Sequence, residues 1–435
     1  MKDPLETISE EGTPGEAKAA KGVLIAIVVT LVAIALTSKA ALGIVLMIVL
    51  VLVTVMLHEC GHFFVARRAG MKCTEFFVGF GPRLWSFTRG ETEYGIKAVM
   101  LGGYVRIIGM NNVEEVAPED EARTYRQAPT RWKLPVILAG VTVNFILCFV
   151  LLFSVFAIQG KGYSTAQVGT ITKANSQISN PEDRDPTLPD VIPSQAAGLK
   201  KGDVIVGIDD QSFTGDPTTA WTRMSNYWKT KAGEALVFHI VRDGEPMDLT
   251  ITPAPRLDAK GKPTGVGFVG LSPGFSHQSL GVGEAFVEAG RSMWTATAQT
   301  GAAFTRFFSP DGVKKQVDTV AGNGSANPVK NDRPVSVVGI VDFAGDVFTT
   351  GGIMSLLMVL AILNLALAIF NLIPLLPFDG GHAVIAIYES IASKVKKRKV
   401  MVDYRKLMPI TAVVFVFIAF VGLTSIFLDV KNILH

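Results

Sequence analysis

The stretch Met56-Leu57-His58-Glu59-Cys60-Gly61-His62 sets two imidazoles four residues apart, with a carboxylate directly after the first. On a helix, residues i and i+4 share a face, so His58 and His62 can reach one metal ion while Glu59 stands one step round, beside the ion's open position. Zinc lowers the pKa of its water to about 7, and a carboxylate beside it can take the proton as that water attacks a carbonyl. H-E-x-x-H on a helix therefore points to metal-assisted hydrolysis of a peptide bond, with Glu59 as general base.

Short patterns with two free positions also arise by accident, and here the setting decides. Ala40 to Leu57 carry no charge, and Phe63 to Ala66 continue apolar until Arg67 and Arg68. An acidic residue at the centre of a membrane span costs about +2.5 to +3.5 kcal/mol, so His and Glu in such a run are functional candidates by default. A catalytic zinc site usually takes three protein ligands plus water, and two histidines leave it one short. The remaining candidate is Asp379, in Asn371-Leu372-Ile373-Pro374-Leu375-Leu376-Pro377-Phe378-Asp379-Gly380-Gly381-His382. Prolines break the helix there, and an acid in so apolar a setting needs a partner. Read instead as a helix-capping carboxylate, Asp379 would leave the metal without its third ligand.

The elements that must hold these residues are membrane helices. The 435 residues are 49% hydrophobic and 18% charged, and mean hydropathy is +0.37. With several long apolar runs this excludes a purely soluble protein. Net charge is only +3 and no basic patch is interleaved with aromatics, so no nucleic-acid partner is expected. Cys60, Cys73 and Cys148 are the only cysteines, and no disulfide framework is implied. Residues 1–21 read as a disordered tail. The run Gly22 to Leu36, roughly 22 Å as a helix, is short of an approximately 30 Å hydrocarbon core. It is either a thin extra span paired with the metal-bearing helix, the favoured reading, or an interfacial helix.

Four core transmembrane helices follow: 40–66 with H-E-x-x-H, 133–159, a third within 335–382 ending at the Asp-Gly motif, and 408–428. Arg67, Arg68, Arg83, Arg89, Arg126 and Arg131 between the first two, and Lys396-Lys397-Arg398-Lys399 between the last two, put both connections in the cytoplasm. Residues 160–350 are then extracytoplasmic, in a multi-pass plasma-membrane protein whose active site opens toward the cytoplasm. Within the cytoplasmic 67–132 region, Tyr94 to Ile108 reads as a hairpin of two short runs, with Gly102-Gly103 as turn or hinge. It is placed to dip back toward the metal, where an exposed strand edge could hold an unwound substrate extended.

Outside the membrane, Ala196-Ala197-Gly198-Leu199-Lys200-Lys201-Gly202-Asp203-Val204-Ile205-Val206-Gly207-Ile208-Asp209 resembles the signature of a PDZ domain, assigned to 165–255. Such a domain adds a peptide or a substrate end to a sheet edge. The insertion Asn180 to Asp190 is a candidate cover for that groove. Residues 256–334 read as a linker containing an amphipathic helix over Gly283 to Phe308, with Ser309 to Asn331 as a flexible connection.

Taken together, these motifs resemble the site-2 protease family of intramembrane zinc metalloproteases, in its PDZ-bearing bacterial branch (the regulator-of-sigma-factor protease type). The pieces are His58-Glu59-Cys60-Gly61-His62, Phe80-Gly81-Pro82, Leu101 to Val105, the PDZ signature, Pro334 to Gly339, and Asn371 to Gly381. The resemblance implies one Zn2+ per chain on His58, His62 and Asp379, with Glu59 as base. It implies that Gly102, Gly103 and Tyr104 belong to a membrane-reentrant β-loop and that Asn371 and Pro374 shape a substrate-gripping break. It implies too a single-span membrane substrate, such as an anti-sigma factor already trimmed by a first protease. Two positions depart from the family pattern: Val141 stands where a proline is usual before Asn144, and Phe378 replaces the leucine before Asp-Gly. The competing reading is a catalytically silent PDZ-bearing adaptor with a structural metal site, against which an intact Glu59 argues. His239, His277 and His435 receive no role, and His382 is expected beside the ligand set rather than in it.

Overall fold

The computed structural model describes residues 14–111, 114–171, 192–257, 263–307, 309–320 and 337–434. The first thirteen residues of the expected tail, the Asn180 to Asp190 insertion, Pro334 to Ser336 and the end of the expected connection lie outside the described residues. The chain divides into two compact units, Met1–Val155 with Phe286–His435, and Phe156–Ala285.

In the first unit, α1 (Pro14–Ala35) precedes α2 (Lys39–Arg68). The chain is helical from Pro14, earlier than expected, because Glu16, Ala17, Lys18, Ala19 and Ala20 are good helix formers that extend a helix already nucleated by the apolar run. The apolar part of α1, Ile25–Ala35, falls short of the four helices long and apolar enough to cross a membrane. Val28, Leu31 and Val32 instead share a groove with Leu42, Val45 and Val49 of α2. Among the described residues, the four helices long and apolar enough to span are α2, α3 (Thr130–Ile158), the Asp342–Asn371 part of α8 (Val337–Asn371), and Tyr404–Val430 in α10 (Tyr404–Leu434). Ser38 caps α2, its hydroxyl accepting from the Ala41 amide at 3.1 Å. Met47, wholly buried, packs with Ala344, Leu356 and Leu360, holding α2 against α8. At Gly352 (φ 65°) α8 kinks, a conformation that suits glycine.

Two long strands, β1 (Cys73–Arg89) and β2 (Thr92–Ile107), follow α2. The expected hairpin is corrected here: the runs around Ile96 and Tyr104 do not pair with each other. Both pair with 75–78, on opposite edges: Phe76 faces Tyr94 on one side and Val105 on the other, and Phe77 faces Gly95 and Tyr104. The tight turn falls at Gly90-Glu91, where Arg89 opposes Thr92 and Gly90 has φ 66°. Gly79 and Gly81, both at positive φ, lie where β1 bends. Bent over themselves, the two strands make four lanes, and 103–107 forms the lane at one edge. The composition around Gly102-Gly103 suggested a turn because glycine serves both turns and close backbone approach; here it is the latter.

The second unit is a six-stranded sheet in the order β10-β3-β4-β6-β7 with β5 on β4. Its strands are β3 (Lys161–Ile171), β4 (Val204–Ile208), β5 (Gln211–Ser212), β6 (Leu236–Arg242), β7 (Glu245–Ile251) and β10 (Leu271–Gln278), with β8 (Ala254–Leu257) and β9 (Pro263–Phe268) as a separate pair. The short α4 (Pro193–Ala196) and α5 (Pro217–Lys229) complete it, α5 capped by the Asp216 carboxylate accepting from the Thr218 amide. Ile205, Ile208, Met224, Trp228, Phe238, Ile240 and Ile251 form the core of this PDZ-like unit, each contributing about 1.5–3 kcal/mol on full burial. The region expected as linker after 255 supplies β8 to β10. Ser272-Pro273-Gly274 hides the strand pattern, yet pairing of Leu271–Gln278 with β3 satisfies its backbone.

The amphipathic helix forms as α6 (Val282–Phe307). The start of the expected flexible connection is instead α7 (Pro310–Val320), where the Ser309 hydroxyl accepts from the Gly312 amide at 3.1 Å. After α8, a turn-rich segment leads to α9 (Asp379–Lys396).

Candidate metal centre

α2 carries His58 and His62 on its inner face, both only 8% exposed. Their Nε2 atoms stand 3.1 Å apart. Asp379, the first residue of α9, directs Oδ2 to 3.4 Å from each. A carboxylate at a helix N-terminus is favoured by the helix dipole. Zinc–ligand bonds of about 2.0–2.1 Å in a tetrahedron require ligand atoms roughly 3.3–3.4 Å apart. The three edges found here, 3.1, 3.4 and 3.4 Å, match that requirement and leave a fourth vertex open. The chemistry of the set agrees: two buried lone-pair donors and an acid face one point, and Asp379 Oδ2 has no hydrogen-bond partner. This His-His-Asp cluster is positioned to coordinate a single zinc ion.

Neighbouring backbone fixes the ligands. The Val136 carbonyl on α3 lies 2.8 Å from His62 Nδ1. As acceptor it holds the proton on Nδ1 and leaves the Nε2 lone pair for the metal. Gly140, one turn on, permits the approach: a Cβ there would stand 2.3 Å from His62 Nε2 and 2.6 Å from His58 Cε1. Gly61 does the same for α2, its missing Cβ lying 2.8 Å from the Ala139 carbonyl oxygen. Gly380 and Gly381 let α9 start tight against the Leu372 to Leu376 backbone, which a Cβ would meet at 2.4–2.5 Å. A buried ion pair of 3.0 Å, Lys133 on α3 with Glu389 on α9, ties these two helices together. Glu389 also accepts from the Val402 amide at 2.9 Å.

A cavity of about 420 Å3 opens on the ligands, lined also by Glu59, Tyr104, Val105, Asn144, Asn371 and Pro377. The Val105 backbone amide faces the Glu59 carboxylate. Gly103 lies against the same side chain, and a Cβ there would stand 3.4 Å from Glu59 Cγ and 2.9 Å from Met56 Sδ. The Tyr104 hydroxyl donates to Glu75 and accepts from Lys97 Nζ at 2.7 Å. Burial and the Glu75 carboxylate push this hydroxyl well above its ordinary pKa, so it remains a protonated group.

Of the residues expected at the site, His58, Glu59, His62, Tyr104, Asn371 and Asp379 converge on the cavity and Gly103 borders it. Gly102 packs on the Phe80 ring instead. Pro374 is exposed and outside the lining, where Pro377 stands. His382 is near the ligands without joining them, its Nδ1 3.4 Å from the Tyr404 hydroxyl. Val136 and Gly140 were not singled out as site residues from sequence. A carbonyl leaves no trace in residue type, and Gly140 would have been detectable only as a small residue facing a histidine helix.

The pattern of peptidase family M50 matches residues 46–418. Among similar curated proteins, the zinc metalloprotease Rip1 of Mycobacterium tuberculosis is 34% identical over 396 residues, covering 87% of this chain and 95% of that protein. Rip1 of Mycolicibacterium smegmatis is 34% identical over 412 residues with the same coverage. The chloroplastic membrane metalloprotease ARASP of Arabidopsis thaliana is 28% identical over 343 residues, covering 78% of this chain and 68% of that protein.

Proposed function

This chain belongs to peptidase family M50, and from that premise we propose how its own residues divide the work of an intramembrane zinc metalloendopeptidase. The activity itself, hydrolysis of membrane-embedded protein substrates in regulated proteolysis, follows from the family, from the Rip1-type relatives and from the His-His-Asp cluster. The proposal assigns His58, His62 and Asp379 as the metal's holders and Glu59 as the group that takes and returns the proton. Zinc, when bound, supplies the Lewis acidity that polarises a peptide carbonyl and makes water nucleophilic near neutral pH.

Glu59 is next to a ligand in sequence and faces the same cavity, so a proton it accepts there has a short path to the leaving amine. The Val105 amide bears on its carboxylate and keeps it from swinging away. The lane 103–107, already paired on one side with 75–78, supports a role in holding an unwound substrate segment by backbone pairing on its other edge. Tyr104, its hydroxyl held by Glu75 and Lys97, acts there as a wall. Asn371 and Asn144 offer amides to the extended chain, with the break after α8 giving it room; Gly102 and Pro374 shape this path through the backbone.

The same reading places the cavity mouth toward the cytoplasm and the PDZ-like unit outside, supported by the arginines after α2 and the lysine cluster after α9. The PDZ-like unit then admits substrates by the end or size of their external part, and a single-span anti-sigma factor trimmed by a first protease is the fitting class. The observation that carries the catalytic assignment is Glu59 beside a tetrahedrally spaced ligand set. Purified wild type and Glu59→Gln, compared with zinc on a single-span substrate with a truncated external domain, test it. Wild type should cleave and lose activity to a chelator; Glu59→Gln should bind zinc but cut about 10²–10⁴-fold more slowly. Equal rates would remove Glu59 from its role.

A further inference from the structure

A second cavity, about 690 Å3, lies between the last turn of α2 and the β1–β2 turn, lined chiefly by Phe63, Phe64, Arg67, Phe87, Arg89 and Tyr94. Among the described residues, Arg67 and Arg89 form no ion pair. The carboxylate whose field reaches Arg67 is that of Glu91, and Arg123 engages it with two bonds of 2.5 and 2.7 Å. Positive charge in the cleft is thus left over. The other walls are apolar and open: Phe64 is 66% and Phe87 46% exposed. The Arg67 guanidinium stands 5.4 Å from the Phe63 ring centroid, held over it. α2 has 30 residues, about 45 Å of helix, which matches a bilayer with its headgroups. A helix of that length crossing a bilayer end to end brings its final turn, and with it Arg67, to headgroup level.

We propose that this cleft binds the phosphodiester headgroup of an anionic phospholipid, with Arg67 and Arg89 on the phosphate oxygens and Phe64 and Phe87 along the acyl chains. Guanidinium forks suit phosphate oxygens, and two uncompensated cations favour a lipid that brings no cation of its own. The position gives the lipid a mechanical role. Arg67 is five residues past His62 on the metal-bearing helix, and Arg89 ends the strand β1 whose sheet reaches Glu59 through Val105. A headgroup held by both joins helix to sheet.

Arg68 provides the discriminating control, since it is exposed at the same helix end and does not line the cleft. The full chain is titrated with phosphatidylglycerol or phosphatidylcholine and the bound lipid counted by native mass spectrometry. Wild type should hold phosphatidylglycerol on the order of tenfold more tightly. Arg67→Gln with Arg89→Gln should abolish that preference, Arg68→Gln should leave it, and inorganic phosphate should not displace the lipid. An equal loss in Arg68→Gln would reduce the effect to diffuse surface charge, and displacement by phosphate would show a bare anion site; either overturns the proposal. If the double variant does not fold, the wild-type lipid preference and its response to phosphate decide. The readout is independent of cleavage, so its failure leaves the protease assignment untouched.

Discussion

Two buried acids, Asp203 in the PDZ-like unit and Asp379 in the membrane unit, are treated in opposite ways. In the PDZ-like unit, Asp203 is 2% exposed and fully engaged: Arg242 donates to it from Nε at 2.8 Å and Nη2 at 2.7 Å, and the Lys200 amide donates at 2.7 Å. In the membrane unit, Asp379 Oδ2 is buried without a hydrogen-bond partner and faces the Nε2 atoms of His58 and His62 at 3.4 Å each. A satisfied buried charge specifies a structure, whereas an unsatisfied carboxylate facing two imidazoles is tolerated where something else binds. The difference separates a folding device from a catalytic one without reference to family.

The comparison breaks most sharply if Asp379 is removed. Asp379→Ala should drop zinc content from about one per chain to under about a tenth and abolish cleavage, because two imidazoles alone leave two vertices unfilled. Metal analysis after gel filtration checks this, and retention of a full equivalent of zinc would show that Asp379 is not a ligand. Next is Gly140→Ala, which should raise helix propensity by about 1 kcal/mol yet cost most of the zinc and activity, since its methyl would occupy the space at His62 Nε2. Unchanged zinc affinity there would mean that α3 can yield, and that the close crossing is not what fixes the ligands.

On the other side of the comparison, Asp203→Asn should destabilise the PDZ-like unit by about 1–2 kcal/mol while zinc stoichiometry stays the same, since the Arg242 it leaves behind keeps access to water. Amide exchange of β4 in the full chain measures the first and metal analysis the second. The smallest expected effect is the pH dependence of the same contact. The Arg242 guanidinium holds the Asp203 carboxyl below its ordinary range against the opposing effect of burial. Because the folded pKa is the lower one, the stabilisation is present above the unfolded value of about 3.9 and is lost as pH falls through the folded value. Protection of the β4 amides, measured against their intrinsic exchange rates at each pH, should therefore fall in acid for wild type and much less so for Asp203→Asn.

Much of the site was legible because its chemistry resides in residue types that membranes otherwise exclude. His58, Glu59, His62 and Asp379 stand out against Ala40 to Leu57 and Ile373 to Phe378 for that reason. The four spans were equally plain, since about 20 apolar residues leave few other options. Less legible were elements whose pattern serves two purposes. Gly102-Gly103 read as a turn and proved to be strand, and Leu271–Gln278 read as linker and proved to pair with β3. In both, the deciding factor is a backbone partner distant in sequence.

The sequence by itself determined the reaction class, the zinc-binding residue types and the division into membrane helices and a PDZ-like unit, because these depend on side-chain chemistry and local period. Only the tertiary structure decided that Asp379 comes within 3.4 Å of two imidazoles more than 300 residues earlier, that the Val136 carbonyl sets the tautomer of His62, and that Gly140 leaves room for both. Those facts depend on how α2, α3 and α9 cross, and a crossing is fixed by close packing and long-range backbone contacts rather than by any residue's own preference.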